Sequence, residues 1–338
     1  MIKSRVSVVV CASYEKEQVY RAVKCGIDAL GGIGRFVAPD ERILVKPNFL
    51  YPSEAEKAIT THPAVIGAVL RVLCEAGYGR VQVGDSPANG TCRAALGKLA
   101  LGEDELYGAA IADMNEEVTV PVPNGRAAKE LHLVREATET DAIIGVCKMK
   151  THALERITGA VKNMYGLICG KRKAAGHVKY PTAYAFANML ADIHSVTPQR
   201  LHVMDAVTAM EGNGPASGNA VNMNLILISP DPVAIDTVFC RLVQLSPSLV
   251  PTNIAGSLAG LGTADADEIE VLLCENGTVR SASVAETVEA YGNPKFDVVR
   301  GGEKLKTVLG LWSFLTGGSR RPVIDPEKCV RCGICVDH

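Results

Sequence analysis

The sequence has few aromatic residues, 5% of the chain, and a single tryptophan, Trp312. Its net charge is only −2 over 338 residues, and no basic face stands out. A nucleic-acid partner therefore has no electrostatic support. No apolar run approaches the roughly 18 residues of a membrane span, so no membrane partner is expected. The apolar start at residues 6–12 is short and runs straight into Glu15 and Glu17. It reads as a first strand and not as a signal peptide. No nicotinamide or flavin fingerprint occurs. Gly31-Gly-Ile-Gly34 lacks the spacing and follows a helix. A disulfide framework is missing too. The eleven cysteines are an odd number, and most are scattered in apolar surroundings. Cys11, Cys147 and Cys274 fall in predicted strands, Cys74 and Cys240 in predicted helices. They read as buried reduced thiols, which points to a reducing cytoplasm.

What is present is a chain 47% apolar, long enough to bury a sizeable core. Strand and helix patterns alternate, which predicts an α/β fold with a mainly parallel sheet flanked by helices. Strands are expected over residues 6–11, 42–45, 80–84, 118–122, 142–147, 201–205, 224–228, 269–274 and 296–299. Helices are expected over residues 15–30 and 91–101, after Pro63, Pro181 and Pro232, and on a stripe from Leu305 to Leu315. The main domain spans residues 1–315, as one body or as two lobes with the site between them. Residues 316–322, Thr-Gly-Gly-Ser-Arg-Arg-Pro, read as a linker.

Chemistry gathers where strands are expected to end, the place where ligands sit in an open α/β sheet. The apolar run 142–147 gives way to Lys148, Lys150, Thr151 and His152, and a helical stretch then brings in Lys162 and Asn163. Lys46 and Asn48 follow the second strand, Asp85 and Ser86 the third. Two or more ammonium groups there suit an anion: a carboxylate, a phosphate or an enolate. Solvated loop lysines are the plain alternative. Thr61 and His62 precede Pro63 and fit a helix cap as well as a ligand contact. The long loop 49–61 suits a lid or binding loop. Residues 169–179 are strongly basic and read as a solvated loop or as a flap closing over an anion. After the strand at 201–205, Asp205 and Glu211 flank a loop in which Gly212 and Gly214 could wrap a ligand. His152 or His177 is the expected proton donor, and Asp205 or Glu211 the base. Crowded ammonium groups depress one another, so a lysine such as Lys148 could also carry a proton. Asp231 fits an N-cap, whereas Asp236, one turn into that helix, is harder to explain by capping. No short spacing organises the histidines and carboxylates into a metal site in this domain.

The carboxyl end carries the strongest motif. Cys329-Val-Arg-Cys332-Gly-Ile-Cys335 has the C-x2-C-x2-C spacing that opens a bacterial ferredoxin run, whose thiolates hold an iron–sulfur cluster. Zinc, with His338 as fourth ligand, is the competing reading. The chain stops one position before the fourth cysteine of such a run. Residues 323–338 are therefore expected to be a truncated ferredoxin-like module, empty or incompletely loaded here. The intact protein would continue into a second run and hold a [4Fe-4S] cluster.

Together, Lys46-Pro-Asn48, Thr60-Thr-His-Pro63, Gly84-Asp-Ser-Pro87, Lys148-Met-Lys-Thr-His152, Lys162-Asn163, Met210-Glu-Gly-Asn-Gly-Pro215, Asp231-Pro-Val-Ala-Ile-Asp236 and the terminal cysteines resemble the family called domain of unknown function 362. Its members are often described as iron–sulfur-centre proteins. The resemblance implies a ferredoxin domain on the carboxyl side and supplies no reaction. The first expectation is an iron–sulfur-linked oxidoreductase acting on a small anion, with an electron-donor protein as possible partner. A racemase, lyase or transferase with a structural or regulatory cluster is the second. A non-catalytic electron-transfer or cluster-delivery protein is the third.

Overall fold

The computed structural model describes residues 3–301. In chain order its strands are β1 (Ser4–Val10), β2 (Ile43–Pro47), β3 (Val81–Val83), β4 (Ala110–Ile111), β5 (Glu117–Pro121), β6 (Glu130–Val134), β7 (Ala142–His152), β8 (Arg156–Thr158), β9 (Gln199–Glu211), β10 (Asn219–Ser229), β11 (Ile269–Glu275) and β12 (Thr278–Ala282). The helices are α1 (Lys16–Ala29), α2 (Pro63–Glu75), α3 (Cys92–Lys98), α4 (Arg135–Glu139), α5 (Ala160–Asn163), α6 (Gly170–Lys179), α7 (Ala183–Ser195), α8 (Pro232–Leu242), α9 (Pro251–Leu258) and α10 (Val284–Tyr291).

One ten-stranded sheet runs through these residues in the order β12-β11-β1-β10-β9-β7-β2-β3-β4, with β8 folded back on β7. Strands β4, β3, β2, β7 and β9 pair in parallel, as do β1 and β11. Strand β10 lies antiparallel between β1 and β9, so β1 points the same way as the parallel block. The fold is α/β with a mainly parallel, mixed sheet. A separate hairpin, β5–β6, stands beside it.

The apolar faces explain the layers. Val19, Val23 and Ile27 of α1 and Val65, Val69 and Leu73 of α2 meet Ile43, Val45, Ile144, Val146, Leu201 and Val203 on one face of the sheet. On the other face, Val238, Phe239 and Leu242 of α8 pack on Cys147, Met149 and Met204. Nearby, Phe186, Met189 and Leu190 of α7 pack on Leu44 and Ile143. Each such fully buried side chain contributes roughly 1.5–3 kcal/mol. Asp231 caps α8 as expected, accepting from the amides of Val233 and Ala234.

Several expectations need correction. The strand expected over 142–147 continues to His152, because β8 pairs with its end, Lys150 opposite Thr158. The strand expected over 201–205 runs on to Glu211, with β10 as partner. Residues 170–179 form helix α6 and not a loop, docked through His177 and seated where Ser86 Oγ accepts the Gly170 amide at 2.9 Å. Residues 296–299 do not pair into a strand; they are tied to the body by Phe296, buried against Phe239, by Asp297, and by the Val299 carbonyl, which accepts from Arg156 at 2.6 Å. Cys74 is exposed, whereas Cys11, Cys147, Cys240 and Cys274 are buried. The expected helix at 305–315, the linker and the terminal cysteines lie outside the described residues. Among the described residues, no helix is long and apolar enough to cross a membrane.

Candidate functional site

Side chains alternate across a strand with a period of two. In β7 the positions after Ile144 and Val146 on the α1/α2 face are therefore Lys148, Lys150 and His152, and all three are buried. Two of these positions carry ammonium groups on stems long enough to reach the end of the sheet. The neighbouring strand β9 places Asp205 directly opposite Lys148. Lys148 Nζ lies 2.8 Å from Asp205 Oδ2 and donates to the Tyr14 hydroxyl at 3.0 Å. Tyr14 donates to Asp205 Oδ1 at 2.7 Å, and the His62 amide to Oδ2 at 2.9 Å. Asp205 is thus fully engaged rather than a free base. Burial lowers the Lys148 ammonium below its ordinary value, with Asp205 pulling it back up. The His62 ring stacks on Tyr14 at 3.5 Å, and its Nδ1 caps α2 through the Ala64 amide. Burial pushes His62 down to about 4, so it is neutral.

On the other face, Lys46 follows Leu44 and pairs with Asp85 at 2.8 Å. It also donates to the Pro47 carbonyl at 2.9 Å and to Asn163 Oδ1 at 3.3 Å, while Asn163 Nδ2 donates back to the Lys46 carbonyl. Asp85 Oδ2 accepts from the Phe49 amide at 2.7 Å. Burial alone would raise the Asp85 carboxyl; Lys46 and Lys173 outweigh it and hold it below its ordinary value. Gly166 is required here, since a Cβ would overlap both Asp85 Oδ1 and Lys46 Nζ. Lys173 of α6 donates to the Ser86 carbonyl, and burial pushes its ammonium down to about 8.

Between these two ion pairs sits an excess of positive charge. Lys150 Nζ is buried, and its hydrogen-bond partner is the Ile59 carbonyl at 2.6 Å. Burial, then Lys162 and Lys148, drive its ammonium well below the ordinary lysine value. Lys162 lies 5.9 Å from the ring centres of Tyr165 and Phe186. Burial pushes it down to about 8, with Glu155 opposing and Lys46 adding to the shift. Helix α5, which carries Lys162 and Asn163, starts on the Asp236 carboxylate. That group accepts the amides of Ala160 at 2.6 Å and Val161 at 3.1 Å. Asp236 is therefore a cap after all, for a helix other than its own.

His152 Nδ1 accepts the amides of Leu154 and Glu155, both at 3.1 Å, which shapes the β7–β8 turn. Burial, then Lys162 and His177, hold it well below the ordinary imidazole value. His177 stacks on Phe186 at 4.5 Å and is pushed by burial to about 3. Thr61 Oγ1 bridges the Val146 carbonyl and the Asn48 amide. Thr151 Oγ1 accepts from the Gly214 amide at 3.2 Å. Glu211 and Gly212 turn instead to Asp297, whose amide donates to Glu211 Oε2 at 2.9 Å and whose carbonyl accepts from Gly212 at 2.7 Å. Glu211 forms no ion pair among the described residues.

Three participants escape sequence reasoning. Tyr14 lies just past β1 with no motif around it. Lys173 is one lysine in a basic run. Glu155, wholly buried with both carboxylate oxygens lacking a hydrogen-bond partner, follows His152 by three positions; that proximity was the available signal. Lys46, Lys148 and Lys150 are enclosed, whereas Lys162 and Lys173 are half-buried. A surface cavity of about 710 Å³, lined by Arg241, Gln244, Val284 and Glu289 among others, includes none of these site lysines. Among the described residues no group of three or more histidines, cysteines and carboxylates could hold a metal ion.

Fold and site define an α/β protein with paired and unpaired lysines buried around the carboxyl ends of β2, β7 and β9. The chain belongs to the family described as domain of unknown function (DUF362), whose model matches residues 43–241. A second model, the 4Fe-4S binding domain, matches residues 322–338. A thylakoid-associated protein of Synechocystis sp. is 34% identical over 277 residues, covering 79% of this chain and 83% of that protein. Two solved structures are similar at greater distance. One, from Thermotoga maritima, is 14% identical with a TM-score of 0.41, covering 73% of this chain and 59% of that one. The other is the lactate racemase apoprotein of Thermoanaerobacterium thermosaccharolyticum, 12% identical with a TM-score of 0.46, covering 68% and 56%. This chain thus spans under two thirds of the length of either.

Proposed function

We propose that the protein is an oxidoreductase that binds a small carboxylate or phosphate among Lys46, Lys148, Lys150 and Lys162. An iron–sulfur cluster held by Cys329, Cys332 and Cys335 would supply the electrons, taken from a donor protein. The observation that carries the proposal is Lys150: a buried ammonium facing a neutral carbonyl, with Lys162 and Lys148 near it. Burying a charge without a counter-charge is costly, and an entering anion supplies that counter-charge. Lys46 and Lys148 already have Asp85 and Asp205, so their part is to position and not to neutralise.

Cys329, Cys332 and Cys335 fit a cluster in chemistry and spacing, giving three of the four thiolates a cubane takes. When bound, the cluster supplies single electrons. The protein's own residues hold the anion, keep water out and govern protons. The free thiols among the described residues support a reducing compartment, the cytoplasm.

Titration calorimetry of the full chain with oxalate tests the anion site. Oxalate binding weakened tenfold or more in Lys150→Met is the expected result; equal binding by both proteins would sink it. Anaerobic loading with iron and sulfide, followed by electron paramagnetic resonance with and without dithionite, tests the redox half. A reducible signal is expected. Zinc uptake with no such signal would move the chemistry at these lysines to a non-redox class.

A further inference from the structure

The lysine site holds one acidic group that no protein partner satisfies. Glu155 is fully buried in the β7–β8 turn, and neither Oε1 nor Oε2 has a hydrogen bond. Buried carboxylates are normally paired or bonded. The charged neighbour that acts on it is Lys162 of α5. Lys150 and His152 of β7 and His177 of α6 stand around that same lysine, and Lys46 of β2 and Lys173 of α6 reach it too. A fully engaged carboxylate would look like Asp85 or Asp205. Glu155 looks like a group kept waiting for a ligand.

The histidines cannot take the donor's part. His152 Nδ1 already accepts two amides, and both imidazoles are held neutral by burial and by the surrounding lysines. Nor does Glu211 face the lysines. Glu155 is different, because burial raises its carboxyl well above the ordinary carboxylate range and so favours its protonated form. An acid raised in this way is suited to give up a proton at neutral pH.

We propose that Glu155 is the proton donor of this site and Lys162 the cation that receives its charge. The inference rests on the anion-site reading above. In the step, the Oε–H bond of Glu155 breaks and the proton goes to an oxygen or carbon of the bound anion. The bonding pair stays on Glu155, and the carboxylate that results is balanced by the Lys162 ammonium. The substrate class that follows is a carboxylate with a proton-accepting carbonyl or enolate group beside it. Lys150 and its neighbours hold the carboxylate, and the second group meets Glu155.

The test is infrared difference spectroscopy of the full chain labelled with 13C-glutamate, with oxalate as the probe. Oxalate is planar and carries an accepting oxygen on each carbon. The expected result is a protonated-carboxyl band at pH 7 that is lost in Glu155→Gln and shifts when oxalate binds. Lys162→Met gives an independent reading that does not require the Gln variant to fold. Without the cation, the band should survive to at least one pH unit above the wild-type transition, because Lys162 favours the ionised form. No band at pH 7, a band indifferent to bound oxalate, or an unmoved transition in Lys162→Met would each overturn the inference and leave the anion site standing. Absence of oxalate binding by calorimetry would overturn both.

Discussion

Replacing Asp205 by Asn removes one charge and nearly preserves shape. It strands the Lys148 ammonium, buried 2.8 Å from the oxygen that had balanced it. Breaking a buried pair by removing one partner typically costs about 3–5 kcal/mol. That is roughly two to four orders of magnitude in the folding equilibrium. Asn keeps an acceptor for Tyr14 or the His62 amide, so most of the loss should come from the charge. Its pH dependence has a definite sign. Burial lowers Lys148, and Asp205 opposes that shift. Without Asp205 the folded-state pKa falls further below that of the unfolded chain. The unfolded state then binds more protons, and stability rises with pH above the folded-state value. The deficit of the variant should shrink by up to about 1.4 kcal/mol per pH unit until wild-type Lys148 also titrates. Urea unfolding followed by far-ultraviolet circular dichroism at pH 7 and pH 9 measures both effects. Adding Lys148→Met to the Asp205→Asn background should recover much of the loss. A deficit under about 1 kcal/mol at pH 7, or one that widens with pH, would refute the argument that Lys148 is buried as a charge.

The other ion pair depends on a missing side chain. Gly166→Ala should cost about 3–5 kcal/mol by forcing Lys46 from Asp85, and an unfolding midpoint within error of wild type would contradict that packing. Lys150→Met should be at least as stable as wild type without ligand, since it removes an uncompensated ammonium. A loss beyond about 3 kcal/mol in urea would make Lys150 a structural residue instead. Burial raises Asp236 to about 7 from an ordinary value near 4. The unfolded chain therefore releases that proton first, and this group's contribution to stability declines as pH rises from about 4 to about 7. Calorimetric melting of wild type and Asp236→Asn across that range should show the wild type alone losing this component. Parallel curves would exclude it.

Much of the fold was legible because it rests on local pattern. Val65, Val69 and Leu73 recur at helical spacing, and Pro63 and Asp231 mark helix starts that the structure keeps. The basic run at 169–179 is helical for a reason outside itself. Its helix is seated by Ser86, distant in sequence, and by the packing of His177 on Phe186 of the next helix. The ends of β7 and β9 are not legible locally, because Lys148 and Asp205 interrupt the apolar runs there. Here antiparallel partners, β8 and β10, carry the pairing onward.

For the site, the sequence by itself determined which groups can do chemistry: a lysine at the end of β2 and lysines along β7, carboxylates after β3 and within β9, and a C-x2-C-x2-C run at the carboxyl end. Their order along the chain already placed them at the same end of a parallel sheet. Only the tertiary structure decided which of them are spent. Asp85 and Asp205 are consumed by Lys46 and Lys148, whereas Lys150 and Glu155 are buried without an ion-pair partner, beside the half-buried Lys162. The physical reason is that partnership depends on distances of a few ångströms across strands and on the removal of water. Neither is encoded in the spacing of any one segment; both arise only when β2, β7, β9 and α5 close on one another.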